Sequence, residues 1–178
     1  MKNLLPDQPA PQFEHRSIDG QNVSLDQFRG KKVLLSFFRG AACPFCNMRV
    51  RELMLNFEVL KKQNIRVIAV FHATKKEILE FAGKQQVPFP ILPDPNFNLY
   101  RTYGIESSLW GKFKTMGNLP KVWKVMNSGF FNLKSMGDPN TLPADFLIGE
   151  DQKIKFSYYG QDFGDHIPLN LILENSTL

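Results

Sequence analysis

The stretch VLLSFFRGAACPFC, residues 33–46, sets the architecture of the chain. Its first six residues are almost continuously apolar, which is typical of a strand buried on both faces of a sheet. A helical pattern follows, in which Val50, Leu53, Phe57 and Leu60 recur at helical spacing, and then a second apolar run at residues 65–71. Strand, helix and strand in this order predict a βαβ unit with parallel strands and a right-handed crossover.

Outside this unit the sequence predicts two hairpins and two further helices. The first hairpin spans residues 12–23 and the second spans residues 142–159. Residues 74–77 have the spacing of a capping box that opens a helix, and Pro168 lies near the first turn of a terminal helix. We therefore predict an α/β fold with a mixed sheet flanked by helices and an N-terminal β-hairpin.

The 178 residues fit one domain, and we predict a single domain over residues 1–178 with a helical insertion at about residues 107–140. This insertion carries both tryptophans, Trp110 and Trp123, and five lysines against one aspartate, so it supplies +4 of the net charge of +5. It enters just before the strand that starts the second hairpin. We expect it to cover the active edge of the sheet, with Trp110 and Trp123 as substrate contacts, unless its aromatics only extend the core.

Composition excludes several classes of protein. Apolar residues make up 43% and charged residues 22%, which is ordinary for a globular chain and argues against disorder. Two cysteines exclude a disulfide-rich secreted scaffold, and no apolar run reaches the roughly 18 residues of a membrane span. The first residues lack the apolar region of a secretory signal, so we expect a cytoplasmic protein. Basic residues are too sparse for a usual nucleic-acid interface, so neither nucleic acid nor membrane is an expected partner.

The specific chemical signal is Cys43-Pro44-Phe45-Cys46, placed where a buried strand turns into a helix. The N–H groups and positive dipole end of a helix N-terminus stabilise a thiolate. We expect Cys43 at the exposed edge as the nucleophile and the more buried Cys46 as the resolving cysteine. No structural metal is expected, because such a site needs four ligands and the three histidines are scattered. Two inert core cysteines are the plainest alternative.

Three further residues are candidate modulators of this pair. Arg39 precedes Cys43 by four residues and would stabilise a thiolate by its charge, unless it is a solvated loop residue. His72 follows the second core strand and is a candidate proton shuttle or, alternatively, a capping residue. Asp145 lies two residues after Pro143 on the strand that faces the cysteines, and it is a candidate acid for the site.

The segments APQF, VLLSFFRGAACPFC, NIRVIAVF and LPADFLIGEDQKI resemble the AhpC/TSA branch of the thioredoxin-like superfamily, most closely its peroxiredoxin-like group with a Cys-Pro-x-Cys motif. The resemblance covers nearly the whole chain outside residues 107–140. It implies a thioredoxin-like fold, thiol–disulfide or peroxide chemistry, and a thiol reductant such as thioredoxin or glutathione. It also implies that Pro143 matches the cis-proline that faces the active cysteines and shapes the substrate groove.

The chain departs from the family's pattern at several positions. If Cys46 takes the place of the peroxidatic cysteine, Arg39 and Cys43 replace the proline and threonine that precede it in peroxiredoxins. Leu142 stands where peroxiredoxins place an arginine before the late strand. By ungapped counting, Phe37 stands where thioredoxins have a buried aspartate. These differences favour dithiol–disulfide exchange over peroxide reduction.

The sequence therefore predicts a thiol–disulfide oxidoreductase that uses Cys43 and Cys46 and requires no metal or organic cofactor. The alternative is a thiol peroxidase that reduces hydrogen peroxide or organic hydroperoxides, with one cysteine oxidised to a sulfenic acid and the other closing the disulfide. A third interpretation is a binding module that keeps the fold without catalysis. The sequence does not determine the oligomeric state.

Overall fold

The computed structural model describes residues 3–106, 119–130 and 139–176. In chain order these residues form β1 (Glu14–Arg16), β2 (Asn22–Ser24), β3 (Lys32–Phe38), α1 (Pro44–Leu55), α2 (Phe57–Lys62), β4 (Ile65–Phe71), α3 (Lys75–Glu80), β5 (Ile91–Pro93), α4 (Asn98–Thr102), α5 (Leu119–Met126), β6 (Ala144–Ile148), β7 (Ile154–Tyr159) and α6 (Leu169–Asn175). Two short 3-10 turns lie at Leu25–Phe28 and Ala82–Gln85.

Five of the strands form one mixed sheet in the order β5-β4-β3-β6-β7. β3 is parallel to β4 and β4 is parallel to β5, whereas β6 is antiparallel to both of its neighbours. β1 and β2 form a separate antiparallel hairpin. The central strand β3 is buried along almost its whole length, as its apolar run predicts. The predicted α/β class, with its mixed sheet and N-terminal hairpin, is confirmed.

The helix that follows the cysteines is divided at Asn56, although the sequence pattern predicts one long helix. The Asn56 side chain donates a hydrogen bond of 2.8 Å to the carbonyl of Glu52, which is also the acceptor for the Asn56 backbone amide. An asparagine that bonds the carbonyl four residues back competes with continuation of the helix. The chain therefore ends α1 at Leu55 and restarts as α2 at Phe57.

Apolar clusters cover both faces of the sheet, and the face that packs on α1 holds the cysteines. Cys43 and Cys46 share one buried cluster with Phe38 of β3 and Leu147 of β6. Phe37 belongs to the cluster on the opposite face, because successive residues of a strand point to opposite sides. The ungapped counting that places Phe37 beneath the cysteines is therefore wrong, and the strand residue on the cysteine face is Phe38.

Part of the predicted insertion is described, namely residues 119–130 and 139–140. It contains the helix α5, on which Val125 is buried while Trp123 and Met126 are 70% and 64% exposed. Trp110 lies outside the described residues. Within the described ranges, no helix has the length and apolar character required to cross a membrane.

Candidate active site

The cysteine pair stands at the N-terminus of α1. Cys43 is the residue that caps this helix, Pro44 is its first residue and Cys46 lies in its first turn. Proline is favoured at this position because its missing N–H would have no partner there and its φ suits the helix. The two cysteines are thiols rather than a disulfide, and their side chains form a hydrogen bond with each other. The structure thus brings together the two sulfurs that the sequence spacing places across one turn.

Both cysteines are fully buried, with no exposed surface on either residue. The expectation that Cys43 lies at an exposed edge is therefore wrong for this state of the protein. The reason is tertiary, because a segment far along the chain packs against the loop that carries the cysteines. We call residues 160–167, which connect β7 to the approach of α6, the covering segment.

The covering segment contacts the cysteine loop and β3 at three points. The ring of Phe163 lies 4.1 Å from the guanidinium carbon of Arg39. Gly164 packs so closely on Phe45 that a Cβ on this glycine would be 2.7 Å from the phenyl ring. The ring of His166 lies 4.9 Å, between centroids, from the Phe38 ring on the cysteine face of the sheet. These contacts exclude solvent from the site.

Within the pair, the surroundings of Cys46 favour its protonated form. Burial raises the pKa of the Cys46 thiol well above its ordinary value, and the hydrogen bond and charge of Cys43 raise this pKa further. The backbone amide and the charge of Arg39 act in the opposite direction. A thiol that donates to a neighbouring sulfur stabilises a thiolate on that sulfur, so this arrangement suits Cys43 as the nucleophile.

Arg39 is not the solvated loop residue of the alternative interpretation, because only 4% of its surface is exposed. Its Nε donates a hydrogen bond of 2.5 Å to the carbonyl oxygen of Pro139. Its guanidinium also packs on Phe163, so Arg39 ties the cysteine loop to two distant parts of the chain. Its role as a modulator of the thiols stays a prediction, supported by its charge near Cys46.

Asp145 is completely buried and lies in β6 directly opposite Ser36 of β3. It accepts hydrogen bonds from the Ser36 hydroxyl at 2.6 Å, from Nδ1 of His166 at 3.0 Å and from the backbone amide of Ile167 at 2.9 Å. Burial alone raises the pKa of Asp145, but His166, Arg49 and Ser36 outweigh it and lower this pKa to about 2. Asp145 is therefore a carboxylate at neutral pH and holds no proton to donate, which argues against it as the acid of the site.

His166 is the functional candidate that sequence reasoning missed. In the sequence it is one of three scattered histidines, and nothing local links it to a strand 21 residues earlier. Its position just before the proline of the terminal helix was the available signal. That signal is weak, because His166 reaches Asp145 of β6 only when the covering segment packs against the sheet.

His72 and Trp123 are two further predicted site residues. Nδ1 of His72 forms a hydrogen bond of 2.7 Å with the Thr141 hydroxyl, and its ring packs on Phe97. Burial lowers the pKa of His72, while the charge of Asp94 opposes this shift. The structure shows no hydrogen bond from His72 to a cysteine among the described residues, and its part in proton transfer stays a prediction. Trp123 is exposed on α5, so its proposed contact with substrate also stays a prediction.

Pro143 precedes β6 as the sequence predicts, but its peptide bond is trans, since none of the described residues has a cis peptide bond. The predicted cis-proline is therefore wrong. The trans isomer of an X–Pro bond is lower in free energy by about 0.5–1 kcal/mol. Hydrogen bonds on either side hold the chain in this form, from the Leu142 amide to the Glu106 carbonyl at 3.3 Å and from the Gly160 amide to the Pro143 carbonyl at 2.9 Å.

A cleft of about 530 Å³ opens beside the cysteine loop. Phe45, the residue before Cys46, forms one wall together with Arg49 of α1. Phe130 from the insertion and His166 from the covering segment form the others. No cluster of histidine, cysteine and acidic side chains suitable for a metal ion exists among the described residues.

A dithiol at a helix N-terminus, on the face of a mixed sheet and beside a cleft, defines a thiol-dependent redox protein. The chain belongs to the AhpC/TSA family, which matches its residues 6–157. This match confirms the family resemblance and includes both cysteines, Asp145, four complete strands of the sheet and β7 as far as residue 157.

Individual relatives agree with this assignment. Peroxiredoxin Bcp of Escherichia coli is 30% identical over 108 residues, which are 61% of this chain and 67% of that protein. The chloroplastic peroxiredoxin Q of Gentiana triflora is 31% identical over 101 residues, which are 57% of this chain but only 46% of the plant protein. The crystal structure of peroxidoxin BcpB from Mycobacterium tuberculosis has a TM-score of 0.71 at 14% identity, over 98% of this chain and 97% of that chain. This last similarity concerns the fold alone and confirms it as thioredoxin-like.

Proposed function

We propose that the chain is a thiol–disulfide oxidoreductase in which Cys43 attacks and Cys46 resolves. The observation that carries the proposal is the hydrogen bond between the two sulfurs at the N-terminus of α1, in surroundings that raise the pKa of Cys46. The Cys43 thiolate attacks one sulfur of a substrate disulfide, whose other sulfur leaves as a thiolate. Cys46 then loses its proton and attacks the Cys43 sulfur, which forms the Cys43–Cys46 disulfide and releases the second substrate thiol. A thiol reductant such as thioredoxin or glutathione returns the pair to the dithiol.

The residues around the pair support exchange over peroxide reduction. In peroxiredoxins a threonine and an arginine position the peroxide, and this chain has Cys43 and Leu142 at those places. The guanidinium of Arg39 is occupied by Phe163 and the Pro139 carbonyl. The raised pKa of the Cys46 thiol also makes this cysteine a weak nucleophile toward peroxide, because the thiolate is the reactive form.

A thiol peroxidase is the second candidate, and the peroxiredoxin relatives favour it. In that reaction the Cys46 thiolate, next to the amide and charge of Arg39, attacks a peroxide oxygen. The O–O bond breaks, the leaving oxygen departs as water or an alcohol after taking a proton, and Cys46 becomes a sulfenic acid. Cys43 then displaces the hydroxyl group as water and closes the same disulfide. The two candidates differ in which cysteine reacts first.

Trapping of the mixed disulfide tests the order of the two cysteines. A Cys46→Ser variant should accumulate a covalent adduct between Cys43 and a substrate thiol, because the resolving sulfur is missing. A Cys43→Ser variant should form little adduct, since Cys46 is buried and its burial raises its pKa. The adducts are measured by mass spectrometry after incubation with bis(2-hydroxyethyl) disulfide. An adduct formed mainly by the Cys43→Ser variant would contradict the proposed order.

The rate of oxidation by hydrogen peroxide, followed by stopped flow, separates exchange from peroxide reduction. We expect the reduced wild-type protein to react no faster than an ordinary free thiol, with the Cys43→Ser, Cys46→Ser double variant as the control. A far higher rate would establish the peroxidase instead. If the folded protein showed neither disulfide exchange nor peroxide reduction, the third interpretation, a binding module without catalysis, would remain. Cytoplasmic location and a single domain stay predictions under each of these outcomes.

A further inference from the structure

His166 has one ring nitrogen engaged and the other unpartnered, although its side chain is 96% buried, with 4% of its surface exposed. Nδ1 bonds the Asp145 carboxylate, so Nδ1 carries a proton in either charge state of the ring. Nε2 of the neutral ring is then an acceptor, and it has no hydrogen-bond partner in the part of the chain that the structure describes. Buried polar atoms without a partner are rare in folded proteins and point to a partner that is not yet present.

The position of this ring connects it to the cysteines. His166 lies on the Phe38 ring, which shares a buried cluster with Cys43 and Cys46. His166 and Phe45 are also walls of one cleft, and Gly164 of the covering segment packs on Phe45. A substrate in this cleft therefore lies beside both the cysteine loop and the His166 ring.

We propose that His166, oriented by Asp145, carries protons for the cysteine pair, giving a proton to the sulfur that leaves the substrate and taking the proton that Cys46 releases. This inference rests on the proposed exchange reaction and adds the proton carrier that its two steps need. An aspartate that holds the Nδ1–H of a histidine fixes the ring and leaves Nε2 to act as base and acid. Asp145 is the positioning residue of this pair.

In the proposed reaction, Nε2 of His166 gives or takes the proton in each of the two steps. In the first step the Cys43 thiolate breaks the substrate disulfide, and Nε2–H of the protonated ring donates to the departing thiolate. In the second step Cys46 gives its proton to Nε2 and attacks the Cys43 sulfur, and the second substrate thiolate takes that proton as it leaves. The products are the Cys43–Cys46 disulfide and two substrate thiols, with His166 neutral until the next reduction.

Other titratable groups face the Asp145–His166 pair from the neighbouring elements. Arg49 of α1 donates a hydrogen bond of 2.8 Å to the carbonyl of Ile167, and its charge acts on Asp145. Tyr158 of β7 donates a hydrogen bond of 2.7 Å to Asp165, and the charge of Asp145 is among those that raise its pKa. Further out, the cleft is bordered by Arg51 and Glu52. A pH profile of the reaction must therefore be compared between variants rather than read from the wild type alone.

Chemical rescue by imidazole tests the proposal. A His166→Ala variant should exchange with bis(2-hydroxyethyl) disulfide roughly 100-fold more slowly than the wild type, the lower end of general acid–base effects. Its rate should rise with added imidazole toward saturation, because the cleft admits a small ring to the vacated place. A rate equal to the wild type, or a loss that imidazole does not change in a folded variant, would overturn the proposal.

Control variants separate this role from folding. His166→Asn keeps a donor for Asp145 without a titrating nitrogen, and it should be as slow as His166→Ala even if the latter folds poorly. Ser36→Ala removes another hydrogen bond to Asp145 and should lower stability without any response to imidazole. His15→Ala changes a half-buried histidine of the N-terminal hairpin and should leave the rate unchanged. Absence of exchange in the wild type itself would contradict the proposed function rather than the role of His166.

Discussion

Asp145 illustrates how a single buried charge is made stable in this protein. Three donors surround its carboxylate, and two of them, the His166 ring and the Ile167 amide, come from the covering segment. The third is the Ser36 hydroxyl of the neighbouring strand. An isolated buried carboxylate would be strongly unfavourable, whereas one with several donors and a cationic neighbour is held in its charged form. Asp145 therefore fastens the covering segment to the sheet.

We expect an Asp145→Asn variant to lose stability in a pH-dependent way. Folding lowers the pKa of Asp145 from 3.8 to about 2, so this group stabilises the fold above pH 3.8 and loses that contribution as the pH falls toward 2. The shift corresponds to roughly 2 kcal/mol. Urea unfolding at pH 5 should show a stability difference of this order between variant and wild type, and the difference should shrink at pH 2.

The control for this measurement is Asp7→Asn, a change of an exposed carboxyl group at which asparagine also accepts the positive φ of 65°. The free energy of unfolding of this variant should equal that of the wild type at both pH values. A stability difference for Asp145→Asn that is the same at pH 5 and at pH 2 would show that Asp145 does not contribute through its charge.

At the scale of elements, the covering segment controls the access of solvent to the cysteines. It has little regular structure of its own and is held by its contacts with Arg39, Phe45 and Asp145. Segments held by a few contacts open at a lower free energy than the core strands. Exchange with any sizeable disulfide requires such an opening, because both sulfurs are buried in the closed state.

A Gly164→Ala variant should loosen this segment. Its new methyl group would lie 2.7 Å from the Phe45 ring, a distance that forces the segment or the ring to move. We expect the reduced variant to react several-fold faster with iodoacetamide under native conditions than the wild type. The matched control is Gly149→Ala, for which the three atoms nearest the new methyl group belong to the flexible side chains of Lys155 and Asp151. Equal alkylation rates for Gly164→Ala and the wild type would show that the segment does not limit access.

At the scale of the whole molecule, the insertion and the body of the fold share the cleft beside the cysteines. Ser128 and Phe130, just after α5, line the same cleft as Phe45 and His166. Trp123 and Met126 on α5 are exposed, as is Leu55 at the end of α1. Exposed apolar side chains near a site are typical of surfaces that bind other proteins.

We expect a Trp123→Ser variant to discriminate between large and small substrates. Its KM for the disulfides of insulin should rise, because an exposed aromatic contact is lost, while its rate with bis(2-hydroxyethyl) disulfide should stay unchanged. Its free energy of unfolding should change by no more than about 0.5 kcal/mol, as for most surface substitutions. Val59→Ser, on the exposed side of α2, is the control. An equal change of KM for both substrates would contradict a docking role for Trp123.

Much of this architecture follows from local patterns in the chain. The apolar run of β3 lies within one residue of the predicted bounds, and β4 occupies residues 65–71 as predicted. The capping box of Thr74 and Glu77 is formed, with a 3.3 Å hydrogen bond from the Glu77 amide to the Thr74 hydroxyl. The cysteines meet at a helix N-terminus because two intervening residues span one helical turn. Each of these features depends on neighbours within a few residues, so periodicity and spacing predict them.

The environment of the cysteines depends instead on residues that meet only after folding. Ser36 and Asp145 are 109 residues apart and become partners through the register of β3 and β6. The burial of Cys43 and the pairing of His166 with Asp145 both depend on the return of the segment after β7 across the sheet. No local pattern encodes such a return, since it follows from packing and hydrogen bonding summed over the whole chain. The chain's local pattern therefore specifies the dithiol, and the tertiary fold specifies its solvent access and its neighbouring charges.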